Sequence, residues 1–573
     1  MHQSPREETA ADAPRRIWAA LLGGTLLLFL ARALLSLIRT GPVLVADEIG
    51  YLGDARALVG ETGAQLELAP FYRGGYSLLI APLLKLSSDV TTEYHLVLVL
   101  NAALAAAVFP LLYLLLSRFA GVPPRVALWA ALAGSVYPAV TVLSQVAMSE
   151  NALFPLVCVW LICFAGLLSS AASRSQLLWA IALGASAGAL WAVHNRMIVA
   201  VLVAIAGMAW LLYRRRLRPA AAIAGVAAIV LTMLAVHFLD SFVATHNYGG
   251  SAPDELSARM DEILRFAGVR TVLANLVGQT WYLLAATFGL AAVVLWDFLR
   301  GRPRRDDEEA GPPDPWRPLA AALLALTGLL LLVSASAFPE RTRPDMLIYG
   351  RYVEVVSPAL IAFGIAALAR RLQPGRRLAW LPASFAILTV AAALIQALSS
   401  YDEIPGRWNV SALPFVTMHL GPAVLIGGAV VAAAGAAALW IASDRSSRTL
   451  GIAALGLFLA VTVYSLWNPV RSSNRTVYGD GWTSPQAAAE AAGGGPIAYD
   501  LEDYDTIGLY AYQWFLPDTP ILLFHGDREA PPSRLVIAGR DYGSEGPGGG
   551  AVEVWSAAGR DQALWRLRDR QAP

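Results

Sequence analysis

Two adjacent carboxylates, Asp47 and Glu48, follow the first long apolar run of the sequence, in the stretch VADEIGYLGDARAL. A carboxylate within hydrogen-bond reach of a hydroxyl can accept its proton during nucleophilic attack, so this pair is a candidate for general base chemistry. If the stretch is helical, Tyr51 shares a face with the two acids. The alternative is structural, because acidic residues at a helix N-terminus stabilise the helix on their own.

Three arginines form a second candidate group, in FPERTRPDMLIYGRYVEVVSPAL. Arg341 and Arg343 lie in a polar stretch, and Arg351 lies between Tyr349 and Tyr352 at the start of an apolar run. The planar guanidinium group matches phosphate oxygens in pairs, so these arginines are candidate phosphate ligands, with Arg351 foremost. Tyrosine and arginine are also common interfacial anchors at the ends of membrane spans, and this alternative stays open.

Further polar side chains interrupt or flank apolar runs. Arg196, in VHNRM, breaks a long apolar stretch, where a charge marks either a functional site or a turn. Glu150, in SENAL, begins another apolar run and either caps a helix or lines a cavity. The candidate phosphate ligands are thus Arg351, Arg341, Arg343, Arg196 and Arg73, and the candidate cavity residues are Tyr51, Glu150, Lys85, Tyr349 and Tyr352.

The composition identifies the elements that must position these side chains. Of 573 residues, 57% are hydrophobic and 15% are charged, and the mean hydropathy is +0.53. A soluble protein of this length cannot bury so much apolar surface, which indicates a polytopic α-helical membrane protein. The apolar runs predict about thirteen spans, namely 17–38, 94–116, 125–143, 151–169, 177–193, 197–213, 219–239, 275–298, 318–337, 352–369, 378–397, 421–442 and 449–467.

Arginines in the short connections orient these spans. Arg15, Arg118, Arg174 and Arg445 fall on alternate connections, which places the N-terminus in the cytoplasm and the C-terminus outside. On this topology the first loop, 39–93, and the other long loops all lie on the extracytoplasmic face. The segment 74–86 is too short to span and predicts a helix at the interface or partway into the membrane.

The chain after residue 467 has a different pattern. The strand-like runs PIAYD, ILLF, RLVIAG and AVEVW follow one another, with a helical stretch, 504–515, between the first two. This order predicts a small extracytoplasmic α/β domain at 468–573, after a membrane domain at 1–467. The net charge of +1 gives no reason to expect a nucleic-acid partner.

Three motifs together resemble a known family. DE-x-x-Y opens the first large loop, FYRGGYSLLIAPLLKL follows it, and SENALFP comes after two more spans. This layout resembles the C-type (GT-C) membrane glycosyltransferases, and within them the protein O-mannosyltransferase-like bacterial enzymes that include the lipid A aminoarabinose transferases. The aminoarabinose transferases have a KPP triplet with a lysine that touches the carrier phosphate. Here FYRGGY stands in its place, so Arg73 or Lys85 would have to take that role.

The resemblance implies a function. A hexose or pentose would move from a polyprenyl-phosphate donor in the plasma membrane to an acceptor hydroxyl on the extracytoplasmic face, as part of glycosylation in the cell envelope. It implies Asp47 as the general base and Glu48 as the neighbour that orients it, binds the acceptor or helps to hold a metal. The acceptor, whether protein, lipid or glycan, is open. The cofactor is unknown, and a divalent metal is possible without being required by the sequence.

Three other interpretations remain at this stage. A transporter or flippase of lipid-linked sugars would place polar residues near the middle of the spans and often shows repeated halves. A polysaccharide polymerase or ligase would also use lipid-linked donors, with its key residues in a late outer loop. A scaffold with the C-terminal domain as a binding module would make the acid pair dispensable.

Overall fold

The computed structural model describes residues 12–568 of the chain, except for 62–65, 67–70, 249–264, 301–314, 339, 371–379, 402–405, 414–420, 480–484, 494, 503–505, 527, 543–550 and 557–561. Most of the described residues are helical, as the apolar runs predict. The long helices of the bundle are α1 (Asp12–Ser36), α4 (Val90–Leu114), α7 (Glu150–Ser169), α8 (Ser173–Val193), α9 (Ile198–Tyr213), α10 (Pro219–Asn247), α11 (Phe266–Ala286), α13 (Trp316–Ser336), α16 (Trp380–Ala397), α17 (Pro422–Arg445) and α18 (Ser447–Ser465).

Shorter helices connect and flank the long ones. They are α2 (Ala46–Leu58), α3 (Gly74–Leu84), α5 (Pro124–Ser135), α6 (Pro138–Leu143), α12 (Leu290–Arg300), α14 (Arg351–Glu354), α15 (Ser357–Ala369), α19 (Ser472–Tyr478), α20 (Pro485–Ala492) and α21 (Thr506–Phe515). Single turns of 3-10 helix occupy Asn195–Met197, Pro344–Ile348 and Arg407–Val410, and π-helical turns occupy Leu115–Phe119 and Leu466–Arg471. The eleven residues of α3 are too few to cross a bilayer, in agreement with the short 74–86 segment.

The structure confirms a multi-pass membrane protein. Within the described ranges, nine helices are long and apolar enough to cross a membrane, or up to eleven if each of two bent pairs is one span. The bent pairs, Gly268–Ala286 with Leu290–Arg300 and Pro344–Glu354 with Ser357–Ala369, match the predicted runs 275–298 and 352–369. The other two predicted runs, 125–143 and 378–397, are helical but broken or shorter than a full span.

The break inside 125–143 has a physical cause. Pro138 occupies the first position of α6, so the helix of α5 cannot continue through it. The carbonyl oxygen of Ser135, freed at this break, accepts a hydrogen bond of 2.6 Å from Nη2 of Arg32 in α1. Thr141 accepts a second bond from the same nitrogen at 3.1 Å. A buried arginine thus satisfies the backbone of the interrupted helix.

The polar break at residues 194–196 separates two helices. His194 follows the end of α8 with extended backbone angles (φ −158°, ψ 136°), and the turn Asn195–Met197 leads into α9. The run 177–213 is therefore two spans, as the arginine pattern requires. Arg196 lies in this turn, at the end of the bundle where α8 stops and α9 starts.

The C-terminal residues form a small mixed sheet. Its strands are β1 (Ile497–Asp500), β2 (Ile521–Phe524), β3 (Leu535–Ala538), β4 (Val552–Ser556) and β5 (Ala563–Arg566), in the order β2-β1-β3-β5-β4. Strand β1 runs parallel to β2 and β3, and β5 runs antiparallel to β3 and β4. The four strand-like runs and the intervening helix α21 are confirmed, whereas β5 lay outside the prediction.

Candidate active site

Helix α2 places the acid pair at one end of the bundle. Its N-cap, Val45, makes no side-chain capping bond, and Asp47 and Glu48 lie in the first turn. Leu44, just before the helix, has a φ of 60°, a left-handed conformation that costs a non-glycine residue about 1–2 kcal/mol. Such a turn persists only where its surroundings hold it, and the carboxylate of Glu48 supplies that support by accepting the backbone N–H of Val43 at 2.5 Å.

Glu48 is fully buried and joins three parts of the chain. Besides Val43, its donors are the hydroxyl of Tyr94 in α4 at 2.7 Å and the backbone N–H of Ala147 at 2.8 Å. Burial raises the pKa of Glu48, and these three hydrogen bonds act in the opposite direction. Glu48 therefore fixes the first turn of α2 against α4 and the segment before α7, behind the surface that Asp47 presents.

Asp47 faces outward from this support. The hydroxyl of Tyr72 donates to its Oδ1 at 2.7 Å, and Nη1 of Arg351 bonds its Oδ2. About a third of the Asp47 side chain (32%) is exposed, in contrast to Glu48. The ring of Tyr72 lies against Gly50, where an added Cβ would approach it to 2.3 Å, so only glycine allows Tyr72 to reach Asp47 in this position.

Arg351 links Asp47 to a second carboxylate. Its Nε and Nη2 donate to the two oxygens of Glu150 at 2.8 Å and 3.0 Å, a bidentate pair. Glu150, at the start of α7, also accepts from Nη2 of Arg196 at 2.7 Å. Both arginines and Glu150 are buried. Two carboxylates and two guanidinium groups thus form a charge-balanced cluster, here called the four-charge cluster (Asp47, Glu150, Arg196 and Arg351).

Arg196 keeps unused hydrogen-bonding capacity within this cluster. The side chain of Arg196 is only 1% exposed, and its Nε and Nη1 have no hydrogen-bond partner among the described residues. The guanidinium carbon lies 4.2 Å from the ring centre of Tyr352, which also packs edge-on against Tyr349. Because buried N–H donors without an acceptor are costly, these two nitrogens are suited to an anionic ligand.

An apolar groove is lined by residues close in sequence to the cluster, such as Ala152, two residues after Glu150, and Val193, three residues before Arg196. It has a volume of about 550 Å³ and is lined by α3, α4, α7, α8 and α10. Small residues such as Gly75, Ala152 and Ala192 form part of its wall. At Gly75 an added Cβ would lie 2.4 Å from the carbonyl oxygen of Ala192, so α3 approaches α8 as closely as two backbones permit.

Arg73 marks one end of this groove, two residues before Gly75. Its Nη1 pairs with Asp240 of α10 at 2.7 Å, its Nε bonds Asn195, and its guanidinium carbon lies 3.4 Å from the ring centre of Trp191. Asn195 is the neighbour of Arg196. The groove therefore ends where the chain carries Arg73 and the turn of the four-charge cluster.

The structure brings together most of the residues that the sequence selects. Asp47, Glu150, Arg196 and Arg351 are in direct contact, and Tyr51, Tyr349 and Tyr352 pack around them. Arg73 lies at the groove end and Glu48 lies behind Asp47. Three predicted residues do not join the cluster. Arg343 pairs with Asp345, and Lys85 pairs with Glu61. The buried Nε and Nη1 of Arg341 have no hydrogen-bond partner in the described part of the chain.

Sequence reasoning did not assign roles to Tyr72, Asp240 and Trp191. Tyr72 lies within the motif FYRGGY, but neither its type nor its spacing shows that its hydroxyl reaches Asp47 across 25 positions. Asp240 interrupts the apolar run of α10, and such an interruption is the signal that could have marked it. In the described part of the chain, no three His, Cys, Asp or Glu side chains are grouped so as to hold a metal ion.

No protein-family model matches the sequence, and no curated protein matches it. Among solved structures, ArnT from Cupriavidus metallidurans in the apo state aligns over 96% of this chain and 99% of its own, with a TM-score of 0.56 and 15% identity. ArnT bound to undecaprenyl phosphate aligns over 96% and 98%, with a TM-score of 0.53 and 15% identity.

The chain has the GT-C fold. The family resemblance that the motifs indicated is thereby confirmed at the level of architecture, from α1 through the C-terminal sheet. Arabinosyltransferase EmbB from Mycobacterium smegmatis aligns with a TM-score of 0.45 and 16% identity, over 86% of this chain and 44% of its own. The guanidinium carbon of Arg56, in α2, lies 4.0 Å from the ring centre of Trp514 in α21. Since α2 also carries Asp47, the four-charge cluster of this GT-C chain lies at the same end of the bundle as the C-terminal residues.

Proposed function

We propose that this protein is an integral membrane glycosyltransferase that moves a sugar from a polyprenyl-phosphate donor to an acceptor hydroxyl. The observation that carries the proposal is the four-charge cluster at the end of an apolar groove, on a GT-C fold. One carboxylate there is partly exposed, and Arg196 has two nitrogens without a hydrogen-bond partner in the part of the chain that the structure describes. A solved structure of the same fold, ArnT, is described as bound to undecaprenyl phosphate, which is a donor carrier of this class.

The groove suits the lipid part of such a donor. Its walls are mainly aliphatic side chains, including Leu78, Leu79 and Val236, which an isoprenoid chain can contact without leaving polar groups unpaired. The one hydroxyl in the lining, that of Thr232, donates to the carbonyl oxygen of Ala228 within α10. Leu78 is 55% exposed and Leu79 is 42% exposed, so part of the wall is open towards the lipid. A donor can thus enter sideways from the membrane with its phosphate directed to the groove end.

The arginines suit the phosphate. Arg196 offers Nε and Nη1, and Arg351 orients the carboxylates around it. All three guanidinium nitrogens of Arg351 already donate to carboxylates. Arg351 therefore acts on the phosphate through its charge and through the position in which it holds Asp47 and Glu150. Negative charge grows on the leaving phosphate during transfer, and fixed cations in a site of low polarity stabilise that charge in the transition state.

Asp47 suits the role of base. Its carboxylate is held at Oδ1 by Tyr72 and at Oδ2 by Arg351, while a third of the side chain stays open to an incoming acceptor. The acceptor oxygen forms its bond to the anomeric carbon as the bond from that carbon to the phosphate oxygen breaks. The acceptor proton passes to Asp47, and the carrier leaves as polyprenyl phosphate.

The location of the reaction follows from the orientation of the chain. The arginine distribution supports an orientation in which the cluster end of the bundle and the C-terminal residues lie outside the cytoplasm. A reporter fused after Pro573 should then be active only outside, and one inserted near Arg305 only inside. Activity of both reporters on the same side would contradict the orientation and remove the argument for an extracytoplasmic reaction.

A donor screen tests the proposed activity. Purified protein in nanodiscs is incubated with radiolabelled sugars carried either on polyprenyl phosphate or on a nucleotide, with lipid, peptide and glycan acceptors. We expect transfer from the lipid carrier alone, and a loss of at least about 100-fold in turnover for Asp47→Asn with the fold intact. Transfer from a nucleotide sugar, or normal turnover by Asp47→Asn, would contradict the proposal.

A further inference from the structure

Arg351 is carried on a short segment that cannot hold its own shape. The segment Pro344–Glu354, here called the Arg351 arm, consists of a 3-10 turn and the single turn α14, and it bends by 70° away from α15. Isolated helical turns are unstable because their nucleation is unfavourable. The position of Arg351 between Asp47 and Glu150 therefore depends on whatever holds the arm.

One end of the arm is held by a loop distant in sequence. Residues 406–413, here called the clamp loop, supply two donors to the carboxylate of Asp345. The backbone N–H of Gly406 reaches Oδ1 at 2.8 Å, and the side-chain amide of Asn409 reaches Oδ2 at 2.8 Å. In return the carbonyl oxygen of Asn409 accepts the backbone N–H of Gly350 at 2.9 Å, next to Arg351.

The other end of the arm is held by the same loop. Glu354 is fully buried, and its Oε1 accepts the backbone N–H of Ala412 at 3.1 Å and the hydroxyl of Tyr282. The ring of Tyr282 presses on Gly350, where an added Cβ would lie 1.9 Å from it. One carboxylate before Arg351 and one after it therefore tie the arm to the clamp loop and to α11.

We propose that Asp345 and Glu354 are positioning residues for Arg351, and that the clamp loop sets the affinity for the phosphate-bearing carrier. The inference rests on the proposed function for the identity of the ligand. Arg351 makes its three polar contacts only in one place, and a displacement of about 1 Å is enough to cost on the order of 100-fold in a positioned reaction. Asp345 and Asn409 hold that place without touching Asp47, Glu150 or Arg196.

Two variants test the clamp from its two sides. Asp345→Asn places an amide nitrogen opposite a donor of the loop, and Asn409→Ala removes the side-chain donor while keeping the loop backbone. The matched control is Tyr401→Phe, which removes a hydrogen bond of 2.9 Å to Gln396 just ahead of the clamp loop. All variants are studied in the full chain, purified in detergent.

The first measurement is hydrogen exchange of the backbone amides in the Arg351 arm. We expect at least about ten-fold faster exchange at Gly350 and Glu354 in both clamp variants and wild-type exchange in the control. This readout needs no ligand, so it stands even if the proposed donor class fails. Unchanged exchange in the arm would overturn the inference.

The second measurement is a double-mutant cycle on the affinity for undecaprenyl phosphate. We expect Asp345→Asn to weaken binding about ten-fold in the wild-type background and to have no further effect in the Arg351→Ala background, because the clamp acts through Arg351. The same ten-fold loss in both backgrounds would show that the loop acts elsewhere and would overturn the inference. If the wild type does not bind the carrier, the proposed donor fails, and the exchange data alone decide the positioning role.

Discussion

Replacement of Glu150 by glutamine should separate the charge balance of the cluster from its shape. Glu150 is fully buried and accepts three charge-assisted hydrogen bonds, one of 2.7 Å from Arg196 and two of 2.8 Å and 3.0 Å from Arg351. Glutamine has nearly the same volume, but its amide nitrogen would face a guanidinium donor. The net charge of the four-charge cluster would change from zero to +1.

The expected magnitude follows from the burial of the pair. Removal of one partner from a buried ion pair costs about 3–5 kcal/mol, because the other charge stays buried without compensation. That loss is a large part of the stability of a typical domain, about 5–15 kcal/mol. An anion that binds next to the arginines would restore the balance, so Glu150→Gln should bind undecaprenyl phosphate more tightly than the wild type does. A concentration of about 100 times the wild-type Kd stabilises the wild type by about 2.7 kcal/mol, and the same concentration stabilises a variant with a lower Kd by more.

The assay is the apparent Tm of the purified protein in detergent, with and without undecaprenyl phosphate. We expect Glu150→Gln to lower the apparent Tm clearly and the carrier to raise it more in this variant than in the wild type. The matched control is Glu48→Gln. Glu48 is equally buried, but its hydrogen-bond donors are the neutral groups of Val43, Tyr94 and Ala147, and the positive charge that acts on it is that of Arg39, outside the four-charge cluster.

Two outcomes would refute this reasoning. If Glu150→Gln and the wild type have the same apparent Tm, the buried arginines do not depend on the charge of Glu150. If the carrier raises the apparent Tm equally in Glu150→Gln and Glu48→Gln, the extra stabilisation does not come from the phosphate and the arginines of the four-charge cluster.

Three further predictions concern the groove, the C-terminal domain and pH. Gly75→Ala should destabilise the protein by about 1–3 kcal/mol and reduce carrier binding, since its Cβ would meet the backbone of α8, whereas Gly23→Ala, with open space around it, should leave the apparent Tm and carrier binding unchanged. Trp514→Ala removes the ring that lies over Arg56, so proteolysis should release the C-terminal residues faster from this variant than from the wild type digested in parallel. Burial raises the pKa of Asp54 to about 8, so the stability of the protein should fall as the pH rises from about 4 to about 8 and then level off. Asp54→Asn should flatten the dependence of the apparent Tm on pH in this window. Parallel curves of apparent Tm against pH for the variant and the wild type would contradict this prediction.

The sign for Asp54 follows from linkage. The folded state binds the proton of this acid more tightly than the unfolded chain does, so its stabilising contribution is complete below about pH 4 and is lost as the pH approaches about 8. Its Oδ1 accepts from Asn247 of α10 at 2.9 Å, and the hydroxyl of Tyr248 also acts on this carboxyl group. An asparagine can keep the first contact and carries no charge to desolvate.

The architecture was predictable from the sequence because the signals for membrane spans and for strands are local in sequence. Apolar runs of about 20 residues specify spans, and the strand-like runs after residue 467 specify the sheet. The break at Pro138 was not recognised, since a run that is apolar on both sides looks continuous until Arg32 is seen to bind the free carbonyl of Ser135. Strand β5 was missed because it pairs with β3 and β4 in space and its own sequence, ALWR, has no clear alternation.

The site was predictable in part, for a different reason. General-base chemistry and the motif selected Asp47, the match of guanidinium to phosphate selected Arg351, and the interruption or start of an apolar run selected Arg196 and Glu150. Their pairing spans up to 304 positions of sequence, and no local pattern encodes it. The match of guanidinium to phosphate also selected Arg343, whose partner, Asp345, is two residues away.

The position of Arg351 makes the proposed base, Asp47, and the proposed phosphate ligand, Arg196, depend on each other. Its guanidinium group bonds the carboxylate of Asp47 and both oxygens of Glu150, and Glu150 in turn holds Arg196. On the proposed function, a phosphate that engages the free nitrogens of Arg196 alters the charge that Arg351 must balance. If Arg196 turned towards the phosphate, Arg351 would be the remaining guanidinium partner of Glu150, and its contact with Asp47 would then weaken. Such coupling would favour transfer over the use of Asp47 in an empty site.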